Sequence, residues 1–455
     1  MATPPSMDDS TNGHPLFPPE MQDHILDHLW SDRSALKACS LTCRAWVPTV
    51  RHHLFHSISL RNIDIPSLLH VLNESIGLVH HVHKLSMRGT GQRMSLLDTG
   101  MLRLLERLGA LGCVTVQWWR TDVGHSWQGE GNEPPLQAIP PRLRDAGPYF
   151  SVTRLNFMAD CEFDRIEFDT FLLAFPRLST LNMSNLSLFP NNTPQPRIPA
   201  SIRPLVSEVS WAHNGGRFSP FGSELPPLGW HMNRGPLDLS RLSTLKVQLW
   251  GGVVWSMLRD LMHTCGGALR HLVLSLDDDI ARFECKPGSI DLSRNVNLEI
   301  LHIKDILLNC CMPLRCVCAV LCQLTYPLPD DGNGEQRHSH AHLRNVVIDL
   351  CNPYAFTTST IPEDLDWDTL DGHLARILQY SAAAVVTLRV PAPLFEPHTS
   401  ILAILRSLPE ATKVGRRDRA GKHKGRVRII PVYMHRYSSG PWEVGTDEAP
   451  EVWVV

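Results

Sequence analysis

Two textures of apolar spacing divide this chain. Over residues 17–55, "FPPEMQDHILDHLWSDRSALKACSLTCRAWVPTVRHHLF", apolar positions recur at helical intervals in three short runs. Met21, Ile25, Leu26 and Leu29 share one face of a first helix, with Gln22, Asp23, Asp27 and His28 opposite. Pro18 and Pro19 suit its entry turn, and Glu20 favours the positive end of the helix dipole. "SDRS" breaks the pattern, and Ser34 is placed to cap a second helix carrying Leu36, Cys39 and Cys43. Pro48 fits the first turn of a third, whose apolar positions are Val50, Leu54 and Phe55.

After residue 60 the pattern changes to apolar-x-x-apolar-x-apolar units, usually behind an amphipathic stretch. In "FDTFLLAFPRLSTLNMSNL", Phe168, Phe171, Leu172 and Phe175 form a helical face, and Leu178, Leu181 and Met183 alternate as a short strand. "VVWSMLRDLMHTCGGALRHLVLSL" ends likewise on Leu269, Leu272 and Leu274, and "NVNLEILHIKDI" supplies Leu298, Leu301 and Ile303. Weaker copies centre on Leu85, Val114, Leu155, Val209, Leu245, Val346 and Leu388. A single triplet means little in a chain with 43% apolar residues. Their spacing is more telling: 26 residues from Leu155 to Leu181, 28 on to Val209, 27 from Leu245 to Leu272 and 29 on to Leu301. Gaps in the twenties match a leucine-rich repeat of helix plus strand. Other gaps reach 36, 41, 42 and 45 residues, so Gly-, Pro- and polar-rich segments at 121–150, 189–203, 213–236 and 327–341 are expected to be inserted loops. The expected fold class is α/β. A small three-helix unit (15–60) precedes an irregular leucine-rich-repeat-like α/β solenoid (61–440), between a disordered start (1–14) and a C-terminal tail (441–455). An ordinary α/β domain with a parallel sheet, which also alternates helix and strand, is the competing architecture.

The order of residues in the helical unit narrows the reading. Phe-Pro-Pro-Glu at 17–20, Ile-Leu-x-x-Leu at 25–29 and Leu-x-x-Cys-Ser-Leu-x-Cys-Arg-x-Trp at 36–46 resemble an F-box. "RHHLFHSISL" at 51–60 resembles the junction found in many fungal F-box proteins, and an F-box before such repeats resembles a known family layout. The sequence departs from the F-box pattern at Phe17, where Leu is usual, and at Leu41, where Val is common; both stay apolar. The repeats also lack a strict consensus Asn. The resemblance implies docking to a Skp-type adaptor, and through it to a cullin–RING ubiquitin ligase, by an apolar helical patch in a partner's groove. Phe17, Pro18, Ile25, Leu29, Leu36 and Trp46 are the positions carried over as adaptor-binding, the unit's own core being the other place for some of them.

Composition and charge exclude more than they add. With 43 basic and 46 acidic residues the net charge is −3, which favours neither nucleic acid nor an anionic membrane as a partner. No apolar run approaches the ~20 residues of a membrane span, and the start lacks the form of a secretory signal. The 12 cysteines read as reduced, mostly buried thiols of a cytoplasmic or nuclear protein. Phosphate loops, nucleophile elbows, dinucleotide fingerprints and HExxH are missing, so no enzyme activity and no cofactor are expected. Cys310, Cys311, Cys316, Cys318 and Cys322 cluster, but "CMPLRCVCAVLCQL" reads as an apolar helix after Pro313, and His338, His340 and His342 of "HSHAH" lie in a Gly-rich loop where histidine is usually solvated. Neither set has paired zinc spacing, so no metal ligands are assigned. "KVGRRDRAGKHKGRVR", 413–428, reads as a mobile solvated loop before a last strand "VRIIPVYM", against a nuclear address or nucleic-acid patch.

The strand register predicts which residues face away from the core. Those flanking each central apolar position include Lys84, Ser86, Arg88, Arg154, Asn156, Asn182, Lys246, His271, His302, Lys304 and Arg389, with Glu208 and Asp349. Lys84, Arg88, Arg154, Lys246, His271, His302, Lys304 and Arg389 are the candidate grip on a target protein, basic on balance and suited to an acidic or phosphorylated segment. The competing reading is a row of solvated charges. The function expected is that of a substrate receptor in an SCF (Skp–cullin–F-box) ubiquitin ligase. A scaffold whose F-box works outside a ligase is the first alternative, and an enzyme with a helical cap the second.

Overall fold

Prolines and one aspartate set the helix starts of the N-terminal unit. The computed structural model describes residues 18–61, 64–90, 99–119, 151–158, 161–184, 186–189, 199–212, 235–249, 253–276, 290–307, 312–325, 340–351, 366–381, 383–391, 407–411, 426–432 and 452–454. The expected disordered start and Phe17 lie outside them, as do 121–150, 190–198, 213–234 and 327–339 of the four inserts and the basic run up to residue 425. Helix α1 spans Pro19–His28, α2 Arg33–Thr42 and α3 Val47–Phe55, with a 3-10 turn at Arg44–Trp46. Asp32, not Ser34, caps α2: its carboxylate accepts from the backbone N–H of Ser34 and of Ala35, both at 3.0 Å. Ser34 falls inside the first turn, so its hydroxyl serves the cap by donating to Asp32 at 2.7 Å. Leu26, Leu36 and Val50 are fully buried at the centre, with Leu29, Cys39, Trp46 and Leu54 packed around them. Trp46 Nε1 donates to Gln22 Oε1 at 2.8 Å and Thr49 Oγ1 to Asp23 at 2.7 Å, tying the last helical segments to the first.

The second texture folds as a sheet whose strand order follows chain order. Strands β1 (Ser57–Arg61), β2 (Lys84–Thr90), β3 (Cys113–Trp119), β4 (Arg154–Met158), β6 (Thr180–Ser184), β8 (Glu208–Ala212), β9 (Thr244–Leu249), β10 (His271–Leu276), β11 (Ile300–Leu307), β12 (Asn345–Cys351), β13 (Val385–Pro391) and β14 (Arg426–Val432) are all parallel, each beside its predecessor. Helices α4 (Ile65–Glu74), α5 (Thr99–Arg107), α6 (Arg165–Leu173), α7 (Val253–Cys265), α8 (Met312–Thr325) and α9 (Trp367–Tyr380) lie in the connections. The chain is thus an α/β protein with a twelve-stranded parallel sheet. Every strand centre read from the sequence lies on one of these strands. The register sets Val386, not Leu388, beside Val346. That two-residue offset leaves the side chains on the same faces, because the pleat has period two.

Two buried rows run across the sheet. One passes through Leu85, Val114, Leu155, Leu181, Val209, Leu245, Leu272, Leu301, Val346, Val386 and Val427, the other two residues further along each strand, and both join the buried residues of the helices in one core. Parallel sheets usually bury both faces. Here the buried side chains of the described helices join the core on one face only, and the strand residues of the other face are half-buried or exposed, Thr180, Val273, Asp349 and Thr387 being the buried exceptions.

The strand starts repeat a single hydrogen-bond device. The carbonyl of Thr153 accepts from the N–H of Ser179 and of Thr180, and that of Ser179 from Ser207 and Glu208. The carbonyls of His56, His83, Gly112, Ser207, Ser243, Arg270 and Glu299 act in the same way. In three units a serine adds its hydroxyl: Ser179, Ser207 and Ser243 each donate to the preceding carbonyl at 3.1 Å. These hydrogen bonds use backbone groups that a parallel ladder would otherwise leave unpaired where each strand begins.

Three features escaped the sequence reading. A separate parallel pair, β5 (Cys161–Asp164) with β7 (Leu186–Phe189), lies outside the main sheet. Phe157, Phe163 and Phe168 form part of an aromatic cluster between the main sheet, this pair and α6, Phe157 and Phe168 meeting at 5.1 Å. Third, Val452–Val454, in the segment expected to be a tail, forms β15, antiparallel to β14.

Candidate docking surfaces

The three-helix unit leaves large apolar side chains in solvent. Met21 is 50% exposed, Ile25 44%, Trp30 67% and Leu41 88%. Met21 and Ile25 stand one turn apart on α1, Trp30 follows that helix, and Leu41 ends α2. Of the carried-over positions, Pro18 and Ile25 are exposed, Leu29 and Trp46 half-buried, and Leu36 fully buried. Leu36 is therefore corrected from a docking residue to a core one, since it faces Leu26 and Val50 inside the unit. Trp46 is held by the same core and by its bond to Gln22. Helical periodicity marks both inward and outward apolar stripes, so Leu36 and Leu41 look alike until the packing of three helices separates them.

On the open face of the sheet the predicted side chains emerge where the register puts them. Lys84, Arg88 and Arg154 are exposed, and Lys246, His271, His302, Lys304 and Arg389 half-buried. Their charges are not equally free. Lys246 Nζ lies 2.6 Å from Glu208 Oε1, His302 Nε2 2.8 Å from Asp349 Oδ2, and Arg389 Nη1 3.5 Å from the same oxygen. Lys84, Arg88, Arg154 and Lys304 have no carboxylate partner among the described residues. Burial, then the neighbouring Lys246 and His302, holds His271 below the ordinary imidazole range. Between the two charged ends, Asn182 donates to Asn156 at 2.7 Å and Asn156 to Thr115 at 3.0 Å, an amide ladder across three strands. Beside Lys304 the ladder breaks: β11 carries a bulge between Ile303 and Ile306, and Asp305 adopts φ 58° and accepts from Ser275.

The rejected clusters resolve into structural roles, with one correction. Cys316 and Cys318 are buried on α8, and burial pushes the Cys318 thiol up to about 12, so it is protonated and inert. Cys310, Cys311 and His338 lie outside the described residues. His342 is exposed, but His340, expected to be solvated, is buried. Burial pushes its imidazole down to about 4, against a smaller opposing effect of the Asn295 backbone. Asn295 itself is buried and donates to the carbonyls of Met262 and Gly266, closing the end of α7.

One cluster had no place in the sequence reading. His52 and His56 at the end of α3 and His83 before β2 bring ligand-capable ring nitrogens within 4.8 Å of one another. The visible signal was the four-residue spacing in "HHLFH"; the third member, His83, is brought in only by strand pairing. No described helix is long and apolar enough to cross a membrane.

Neither a scan against protein-family models nor a search of curated proteins returned a match to this chain.

Proposed function

We propose that this chain is a substrate-recognition subunit of an SCF-type ubiquitin ligase, built as an F-box followed by a leucine-rich-repeat-like solenoid. The observation that carries the reading is a small helical unit with its own three-residue centre and four large apolar side chains left in water. Exposed apolar groups of this size on so small a unit mark a surface kept for a partner. Their place within the residue order that resembles an F-box makes a Skp-type adaptor that partner. Chain-ordered parallel strands, helices packed on one face and the recurring carbonyl device at strand starts support the repeat reading over a doubly wound sheet. The open strand face then grips the target. The chain itself performs no bond chemistry, because holding a target beside a ubiquitin-charged enzyme accelerates transfer by proximity.

The test is co-purification with a Skp-type adaptor and neddylated cullin. Ile25→Asp combined with Leu41→Asp should abolish adaptor capture while the chain stays folded, since both side chains are exposed in the free protein. Undiminished capture by the folded double variant would remove the F-box reading. Capture of the adaptor without cullin would move the chain to a scaffold outside the ligase.

A further inference from the structure

We propose that His52, His56 and His83 are the ligands of a transition-metal site, best matched to Zn2+, that clamps the three-helix unit onto the sheet. His52 and His56 are one helical turn apart, so their rings leave α3 on the same side. Ser57 pairs with Lys84, which makes His56 and His83 neighbours one step before β1 and β2. The same junction carries the first of the strand-start carbonyls, that of His56, which accepts from the N–H of His83 at 3.0 Å and of Lys84 at 2.9 Å. Ring centres lie 5.3 Å apart for His52 and His56, 5.7 Å for His52 and His83, and 5.1 Å for His56 and His83.

Two further observations point to a ligand. His83 Nδ1 lies 3.2 Å from the carbonyl oxygen of Ala110. A carbonyl only accepts, so Nδ1 carries the proton and Nε2 keeps the lone pair. A backbone carbonyl on the far ring nitrogen is the outer-shell arrangement that orients metal-binding histidines. His56 Nδ1, in turn, is buried with no hydrogen-bond partner among the described residues. An orphaned buried nitrogen is costly, and coordination would satisfy it.

The donor chemistry selects the ion. Three imidazoles without thiolate or carboxylate in the set suit zinc, and also nickel or copper. Zn–N bonds of about 2.0–2.1 Å fix the spacing of the nitrogens, and rotation of the half-buried rings can adjust it. Water takes the fourth position; His81, its ring centre 6.1 Å from that of His52, stands outside the set. Burial first, and then the neighbouring histidines, holds His52 and His56 below the ordinary imidazole range. Asp27 on α1 is the nearby acidic group and Lys84 the opposing basic one. Because the ligands come from both sides of the junction, binding energy would become junction stability.

The experiment titrates the full, tag-free chain with Zn2+ against a chromophoric chelator and repeats it with Co2+, read by the visible bands of the four-coordinate ion. One equivalent should bind, and Zn2+ should raise the unfolding temperature. His52→Gln and His83→Gln should each weaken binding about 100-fold or more, at least the loss seen when outer-shell groups alone are disturbed. His24→Gln with His28→Gln is the control. That exposed pair on α1 has the same spacing, with ring centres 4.7 Å apart, but lacks a third ligand among the described residues, and its loss should leave binding unchanged. Equal weakening by the control pair, or millimolar binding by the folded wild type, overturns the site. If both ligand variants fail to fold, the wild-type Co2+ spectrum decides: octahedral rather than four-coordinate bands overturn it.

Discussion

The three-helix unit and the sheet place their apolar residues in opposite ways. The unit fully buries Leu26, Leu36 and Val50 and leaves Met21, Ile25, Trp30 and Leu41 in water within fewer than forty residues. The sheet runs one continuous core from Leu60 to Ile429 and presents mostly polar or charged side chains on its open face. Small units bury a smaller fraction of their surface and are correspondingly marginal. A unit that also withholds apolar groups from its own core gives up stability and leaves them accessible to a partner. The sheet has no such need, because each strand is covered by its neighbours.

The largest expected effect tests that asymmetry in stability. Leu36→Ala removes one of three central side chains and should cost about 2–5 kcal/mol, comparable to the whole stability such a small unit can have. Amide exchange should then lose protection over residues 18–55 while β9 to β12 keep theirs. Leu272→Ala, with a similar local cost, should leave the helical unit protected. Loss of protection throughout the chain in Leu36→Ala would show a single cooperative body instead.

His340 sharpens the contrast from the sheet side. Its folded-state pKa of about 4 lies below the ordinary imidazole value of about 6.5, so the unfolded chain binds the extra proton first. The stability it contributes is fully present above about pH 6.5 and declines as pH falls toward about 4, by roughly 3 kcal/mol in total. In His340→Phe, denaturant unfolding from pH 7 to pH 4.5 should show a shallower acid loss in the sheet transition. An unchanged pH slope would mean that His340 is not charged on unfolding in this window.

The smallest effect concerns the open face, where charges differ in freedom. Arg88→Glu with Arg154→Glu should reduce capture of the target several-fold, while Lys246→Gln changes it little because Glu208 already offsets Lys246. Adaptor binding should be the same in both variants. If Lys246→Gln proves the more damaging, the paired end of the face is the grip.

Much of this architecture was legible from side-chain spacing alone. The strand centres fell where the triplets stood, because a strand with one face buried must alternate. The helical face of Phe168, Phe171 and Leu172 was equally plain. The cap of α2 was read at Ser34 where the structure has Asp32, two residues earlier, because both residues make good caps and only backbone geometry chooses between them. The β5–β7 pair was not legible, since four-residue strands carry too little alternation to stand out.

Apolar periodicity by itself determined the α/β class, the three short helices and the outward direction of Lys84, Arg88 and Arg154, since these depend on neighbours along one element. Which apolar residue of a helix faces its own core, as Leu36 does, and which faces water, as Leu41 does, was decided only when three helices packed. Tertiary structure also paired Lys246 with Glu208, withdrew His340 from solvent and brought His83 to His52 and His56. Each of these joins residues that are distant in sequence or hidden by packing. Charge, exposure and ligand geometry depend on distances in space, and chain spacing does not encode them.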